Sequence, residues 1–171
     1  MGAGGAGLAG FSVEDATGRP EAPIYHVDLA ADRVTAAAEA AHNGPGLVLT
    51  ARAEGYLRGE PDLAATIARL QRYQEAGADV LFAPGMTDLE EIRTCVREVD
   101  RPVSVLLMPA GPSMKELRDA GVARVSVGGA FRNVALAAVA RAAEQLMAGE
   151  TADWVRQAAE GRALAVHAFE P

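Results

Sequence analysis

Two adjacent carboxylates, one arginine and one glycine pair are the residues of this chain whose types and positions could do chemistry. Glu14 and Asp15 end the short apolar run Phe11-Ser12-Val13. Side by side at the end of a strand, two acids can hold a divalent cation directly or through water, or share acid and base duty. They can equally be ordinary loop acids that cap the next element. Arg52 follows Leu47-Val48-Leu49-Thr50-Ala51 without a break. An arginine leaving a buried strand must find an anion, because an unpaired buried charge is costly. Its planar fork suits a carboxylate or a phosphate. That anion is either a ligand or one of Glu14, Asp15 and Glu54. Gly128 and Gly129 end another apolar run, just before a helix that starts near Phe131. Backbone N–H groups there could cradle an anion, or the pair could serve close packing of a tight turn.

Other candidates carry less. Gly2-Ala3-Gly4-Gly5-Ala6-Gly7 matches the dinucleotide spacing G-x-G-x-x-G, but that motif needs a strand before it and only Met1 precedes it. The stretch is read as a flexible or truncated start. Cys95 sits beside the apolar stripe of its helix and reads as core. His26, His42 and His167 show no ligand spacing, and only His26 lies near a candidate active loop at 17–27. Arg69, Arg72 and Arg93 read as solvated helix faces.

The elements that must position these residues are marked by a phrase used three times: Ala6-Gly7-Leu8, Ala76-Gly77-Ala78 and Ala120-Gly121-Val122, each followed by a short apolar run. A helix-ending glycine takes the left-handed conformation cheaply, and a continuous apolar run reads as a strand buried on both faces. Strands are predicted at 11–13, 47–51, 80–83, 103–107 and 124–127, and helices at about 29–41, 63–76, 89–99, 114–120 and 134–147. Asp62, Asp88 and Ser113 stand where they would cap three of those helices. The tail, 151–171, adds an amphipathic stretch (Trp154, Val155, Ala158) and an extended end at 163–169. Strand–helix units of this size imply parallel pairing and right-handed crossovers. Five of them could form an open doubly wound sheet or five-eighths of a (β/α)8 barrel.

Composition bounds the partners. At 171 residues the chain reads as one domain, 1–171, with a C-terminal helix and tail at 150–171. A net charge of -7 argues against nucleic acid or an anionic membrane. One cysteine excludes a disulfide framework and a cysteine-based zinc cluster. No stretch approaches the roughly 20 apolar residues that span a bilayer. A cytoplasmic setting is the expectation.

Four segments in order resemble one family: Gly10-Phe11-Ser12-Val13-Glu14-Asp15, then Ala51-Arg52, then Ala76 to Gly85, then Gly121 to Gly129. Together they resemble the isocitrate lyase/phosphoenolpyruvate mutase superfamily, in its phosphonomutase-like branch, from about Gly5 to Gly149. The resemblance implies a (β/α)8 barrel that uses Mg2+ to bind a small 2-oxo acid or its enolate. It also implies lyase or decarboxylase chemistry on a C–C or P–C bond next to the carbonyl. Glu14 resembles the acid that helps hold the metal through water, with Asp15 beside it as a second candidate ligand. Arg52 resembles the arginine that grips the substrate's carboxylate or phosphoryl group.

Two departures accompany the resemblance. The family's Asp-x-Asp metal ligands lie on earlier strands, and this chain starts at what resembles the fourth. The loop Ala16 to Tyr25 has neither the catalytic cysteine of the family's lyases nor the lysine and asparagine of its mutases. An impaired small-acid lyase is therefore expected, with a homo-oligomer favoured by exposed strand edges at 11–13 and 124–127. A subunit completed by a partner chain, a non-catalytic remnant and another phosphate-binding barrel enzyme are the alternatives.

Overall fold

The computed structural model describes residues 6–44 and 46–168. The start at 1–5, Phe169 and the side chain of His167 lie outside the described residues. Five strand–helix units follow one another: β1 (Gly10–Glu14), α1 (Val27–His42), β2 (Val48–Arg52), a 3-10 turn (Gly55–Arg58), α2 (Leu63–Glu75), β3 (Val80–Phe82), α3 (Leu89–Glu98), β4 (Val103–Leu106), α4 (Met114–Asp119), β5 (Arg124–Ser126) and α5 (Ala130–Met147). A last helix, α6 (Ala152–Ala168), follows. The chain falls into two compact units, one ending at Val127 and one beginning at Gly128.

In the first unit all five strands are parallel and lie in the order β1-β2-β3-β4-β5. A doubly wound sheet reverses direction at a switch point. Here each crossover reaches the next strand without a reversal, which is barrel winding. The architecture is α/β, a partial (β/α)8 barrel.

Helix starts are encoded locally. The Asp62 side chain accepts from the Ala65 N–H at 2.9 Å, and Asp88 accepts from Glu90 and Glu91 at 2.8 and 3.0 Å. Ser113 and Glu116 form a reciprocal capping box. In the repeated phrase Gly7, Gly77 and Gly121 have φ of +71°, +101° and +84°. A side chain there would be strained, so the spelling of the phrase follows from its backbone.

One sheet face builds the core. Leu49, Ala51 and Ala53, Leu81 and Ala83, and Val103 and Val105 pack with Val34 and Ala38 of α1, Leu70 and Tyr73 of α2, Ile92 and Cys95 of α3, and Leu117 of α4. Each fully buried leucine or isoleucine contributes about 1.5–3 kcal/mol. Burial on both faces holds only at the centre of the sheet, where Thr50, Phe82 and Ser104 are also buried. The outer strands β1 and β5 are mostly half-buried, because each has a strand neighbour on one side alone.

In the second unit the end expected to be extended is helical through Ala168. Alanine and leucine dominate 163–168, and they favour continuing a helix already nucleated upstream. No residue of α5 is buried, and Phe131, Val134, Leu136 and Val139 lie exposed on it. No helix among the described residues is long and apolar enough to cross a membrane.

Candidate functional site

Register decides which side chains meet. Glu14 pairs with Arg52, Arg52 with Phe82, Phe82 with Ser104, and Ser104 with Arg124. In a parallel sheet residues in register share a face, so this row runs across all five strands on the face opposite the helices. It borders a cavity of about 640 Å³ in the first unit, whose lining includes Ser12, Thr50, Arg52, Phe82, Arg124 and Ser126.

Arg52 is held from two sides. Its Nε and Nη2 donate to Oε1 of Glu54 at 2.9 and 2.6 Å, and Nη2 lies 3.5 Å from Oε2 of Glu14. The Glu54 carboxylate is buried, while a quarter of the Arg52 side chain remains exposed. The guanidinium carbon also sits 5.1 Å from the centroid of the Phe82 ring, within cation–π range. Arg52 is thus fixed in place, close to the cavity.

The two adjacent acids part company. Glu14 stays beside Arg52, half-exposed. Asp15 is buried and turns toward α2. Its Oδ2 accepts from the Tyr73 hydroxyl at 2.6 Å and lies 3.4 Å from Arg69 Nη1, and its Oδ1 accepts from the Glu54 N–H at 2.8 Å. Burial first, and then the Asp15 charge, pushes the Tyr73 phenol above its ordinary range, so it remains a donor. Arg69 was expected on a solvated helix face. Instead it reaches inward to Asp15, and its Nη1 also donates to the Tyr25 carbonyl at 3.0 Å. A long arginine on α2 can span to the strand end because the buried carboxylate rewards it.

The remaining candidates are dispersed. The loop after Asp15 is folded back by an antiparallel bridge between Ala16 and Ile24 and by Thr17 N–H donating to the Pro23 carbonyl. His26 is largely exposed beside Asp28 at 3.4 Å. Cys95 is buried, and desolvation pushes its thiol up to about 11. Arg72 and Arg93 are surface residues paired with Glu75 and Glu90. Gly129 caps α5 in the second unit with no side-chain cap bond.

A magnesium ion takes several oxygen ligands. Among the described residues no three His, Cys, Asp or Glu side chains form a group able to hold a metal. Glu14 is the one acid of the adjacent pair left accessible. These residues alone do not fit the ion, and no chemical step is routed through it.

Sequence reasoning named Glu54 only as a possible partner of Arg52 and missed Phe82, Tyr73, Ser104 and Arg124. The spacing Arg52-x-Glu54 was a usable signal, because alternate residues of an extended strand share a face.

Five parallel strands wound in one direction, with an arginine set between two acids where strand β2 ends, define a partial (β/α)8-barrel protein with a guanidinium beside its cavity. Residues 3–147 match the phosphoenolpyruvate phosphomutase family, and the chain belongs to it. It is 34% identical over 128 residues to 2-methylisocitrate lyase of Escherichia coli K12, covering 69% of this chain and 42% of that enzyme. A Burkholderia cenocepacia J2315 structure provisionally described as a lyase/mutase superposes with a TM-score of 0.92 at 46% identity, over 99% of this chain and 62% of that one. A phosphonopyruvate hydrolase crystallised with oxalate and Mg2+ shares the fold, with a TM-score of 0.71 at 22% identity over 96% of this chain and 64% of that one. The chain spans about half the length of the curated relatives it matches.

Proposed function

We propose that this chain carries the acid-gripping half of a Mg2+-dependent lyase or decarboxylase site for small 2-oxo or 2-hydroxy acids. The observation that carries the reading is Arg52, a guanidinium fixed by Glu54, Glu14 and Phe82 close to the cavity. Its fork would take the substrate's carboxylate or phosphoryl group and neutralise the fragment that leaves or attacks. Glu54 sets the plane of the fork, and Glu14 is the accessible acid nearest to it. Asp15 is occupied by Tyr73, Arg69 and the Glu54 amide, so Glu14 is the carboxylate of the pair left open toward a ligand. Gly128 and Gly129 are kept as candidate anion-binding amides of the second unit.

With no group of three ligating side chains among the described residues, the chain by itself is expected to turn over such acids slowly or not at all. The test has two arms. Oxalate binding to the purified chain is measured by calorimetry, with Arg52→Met as control; binding that survives the substitution sinks the assignment of Arg52. Mg2+-dependent consumption of oxaloacetate and substituted malates is then followed, and brisk turnover would refute the expected impairment.

A further inference from the structure

Behind Arg52 runs a buried polar chain that starts on α2. Strand β2 ends at Arg52, so the residues after it leave the ladder that fixes the strand. The Ala53 N–H still reaches the Phe82 carbonyl at 2.9 Å, and the next amide, that of Glu54, donates to Oδ1 of Asp15 at 2.8 Å. The carboxylate that orients the Arg52 fork thus sits on a backbone whose own N–H is held by Asp15.

Asp15 in turn is fixed from α2. Its Oδ2 takes the Tyr73 hydroxyl at 2.6 Å and Arg69 at 3.4 Å, from residues one helical turn apart. The same Nη1 of Arg69 donates to the Tyr25 carbonyl at 3.0 Å, so one side chain ties down both ends of the loop after β1. Asp15 and Glu54 are 2% exposed and Tyr73 1%, which leaves little room for water to replace a lost partner. Arg69 is the one cation paired with Asp15 among the described residues. Without it, a buried charge would rest on neutral donors alone, and its pressure to reorient or neutralise would fall on the Glu54 amide.

We propose that Arg69 is a positioning residue of the anion grip, acting through Asp15 and the Glu54 backbone to set the orientation in which Arg52 meets a substrate carboxylate. Tyr73 is the second anchor of the same relay. The proposal rests on the reading of Arg52 as that grip. What is at stake is the alignment of a charge-assisted contact, worth about tenfold in affinity.

The test measures oxalate affinity by calorimetry on the full chain, at a temperature where circular dichroism shows each variant folded. Arg69→Met is expected to weaken binding about tenfold and Tyr73→Phe about threefold, while Arg69→Lys, which keeps a charged donor, recovers part of the loss. The decisive readout is a cycle with Glu54→Gln, which removes the orienting carboxylate. In that background Arg69→Met should add less than about twofold. A merely structural Arg69 would lower thermal stability in both backgrounds and leave the affinity of the folded chains unchanged. If Arg69→Met does not fold, Tyr73→Phe is carried through the same cycle. Unchanged affinity in the folded variants, or an equal loss with and without Glu54→Gln, overturns the proposal while the grip at Arg52 stands. If the unaltered chain does not bind oxalate, or Arg52→Met binds it equally well, the grip falls and the proposal with it.

Discussion

Replacing Asp15 by alanine tests whether the acid beside Glu14 is spent on architecture. Its carboxylate is buried and takes three partners: the Tyr73 hydroxyl at 2.6 Å, the Glu54 N–H at 2.8 Å and Arg69 at 3.4 Å. Hydrogen bonds to a charged group contribute about 1.5–3 kcal/mol each, and a buried donor left unsatisfied costs about 1–3 kcal/mol. The three share one acceptor, so they do not add. Loss of one member of a buried ion pair costs about 3–5 kcal/mol, which is the expected destabilisation here. For a chain of this size that lowers the melting temperature by about 6–20 °C. The assay is urea unfolding followed by circular dichroism for Asp15→Ala, Tyr73→Phe and the double variant. A coupling energy of about 1–3 kcal/mol between Asp15 and Tyr73 is expected. Oxalate binding should weaken as well, because the Glu54 amide that Asp15 holds belongs to the residue that orients Arg52. Destabilisation below about 1 kcal/mol with no coupling would refute the structural assignment and return Asp15 to the ligand candidates.

Other perturbations follow from the same geometry. Cys95 is buried with its thiol pushed up to about 11, so a thiol reagent at neutral pH should label the native chain slowly and the urea-unfolded chain at once; rapid native labelling contradicts its core position. Asp79 is pushed up by desolvation, but hydrogen bonds from His42 and the Leu49 N–H outweigh this and hold its carboxyl below the ordinary value of 3.8. A depressed carboxyl contributes stability above its unfolded pKa and loses it as pH falls through the folded one, so Asp79→Asn should flatten the acid limb below about pH 4; parallel limbs for the two proteins would sink this. Gly85 has φ +98°, and a Cβ there would lie 3.0 Å from the Tyr56 Cβ. Gly85→Ala should therefore cost more than about 1 kcal/mol in a denaturant titration, and a neutral or stabilising result would contradict the packing of that loop.

What the sequence made legible is what local chemistry encodes. The caps at Asp62, Asp88 and Ser113 each involve atoms within three residues along the chain, and all three form. The glycine phrase is legible for the same reason, since a positive φ is a property of one residue. Five parallel units followed from the spacing of apolar runs. The choice between open sheet and barrel winding did not, because strand order is a property of the whole chain. The pairing of Arg69 with Asp15 also joins groups 54 residues apart, and no periodicity on α2 announces it.

Arg124 shows the limit most clearly. In Ala123-Arg124-Val125-Ser126 it reads as a polar residue starting a short strand, and nothing nearby says which face it takes. Register settles it: a slip of one residue would send Arg124 among the helix-facing apolar side chains. Burying that guanidinium in the core without a partner would cost several kcal/mol, so the sheet has strong reason to hold this register. The same constraint that makes β5 fold one way thus brings a second cation to the ring already shared with Arg52. The placement of this cation and the stability of the strand pairing thus come from one side chain.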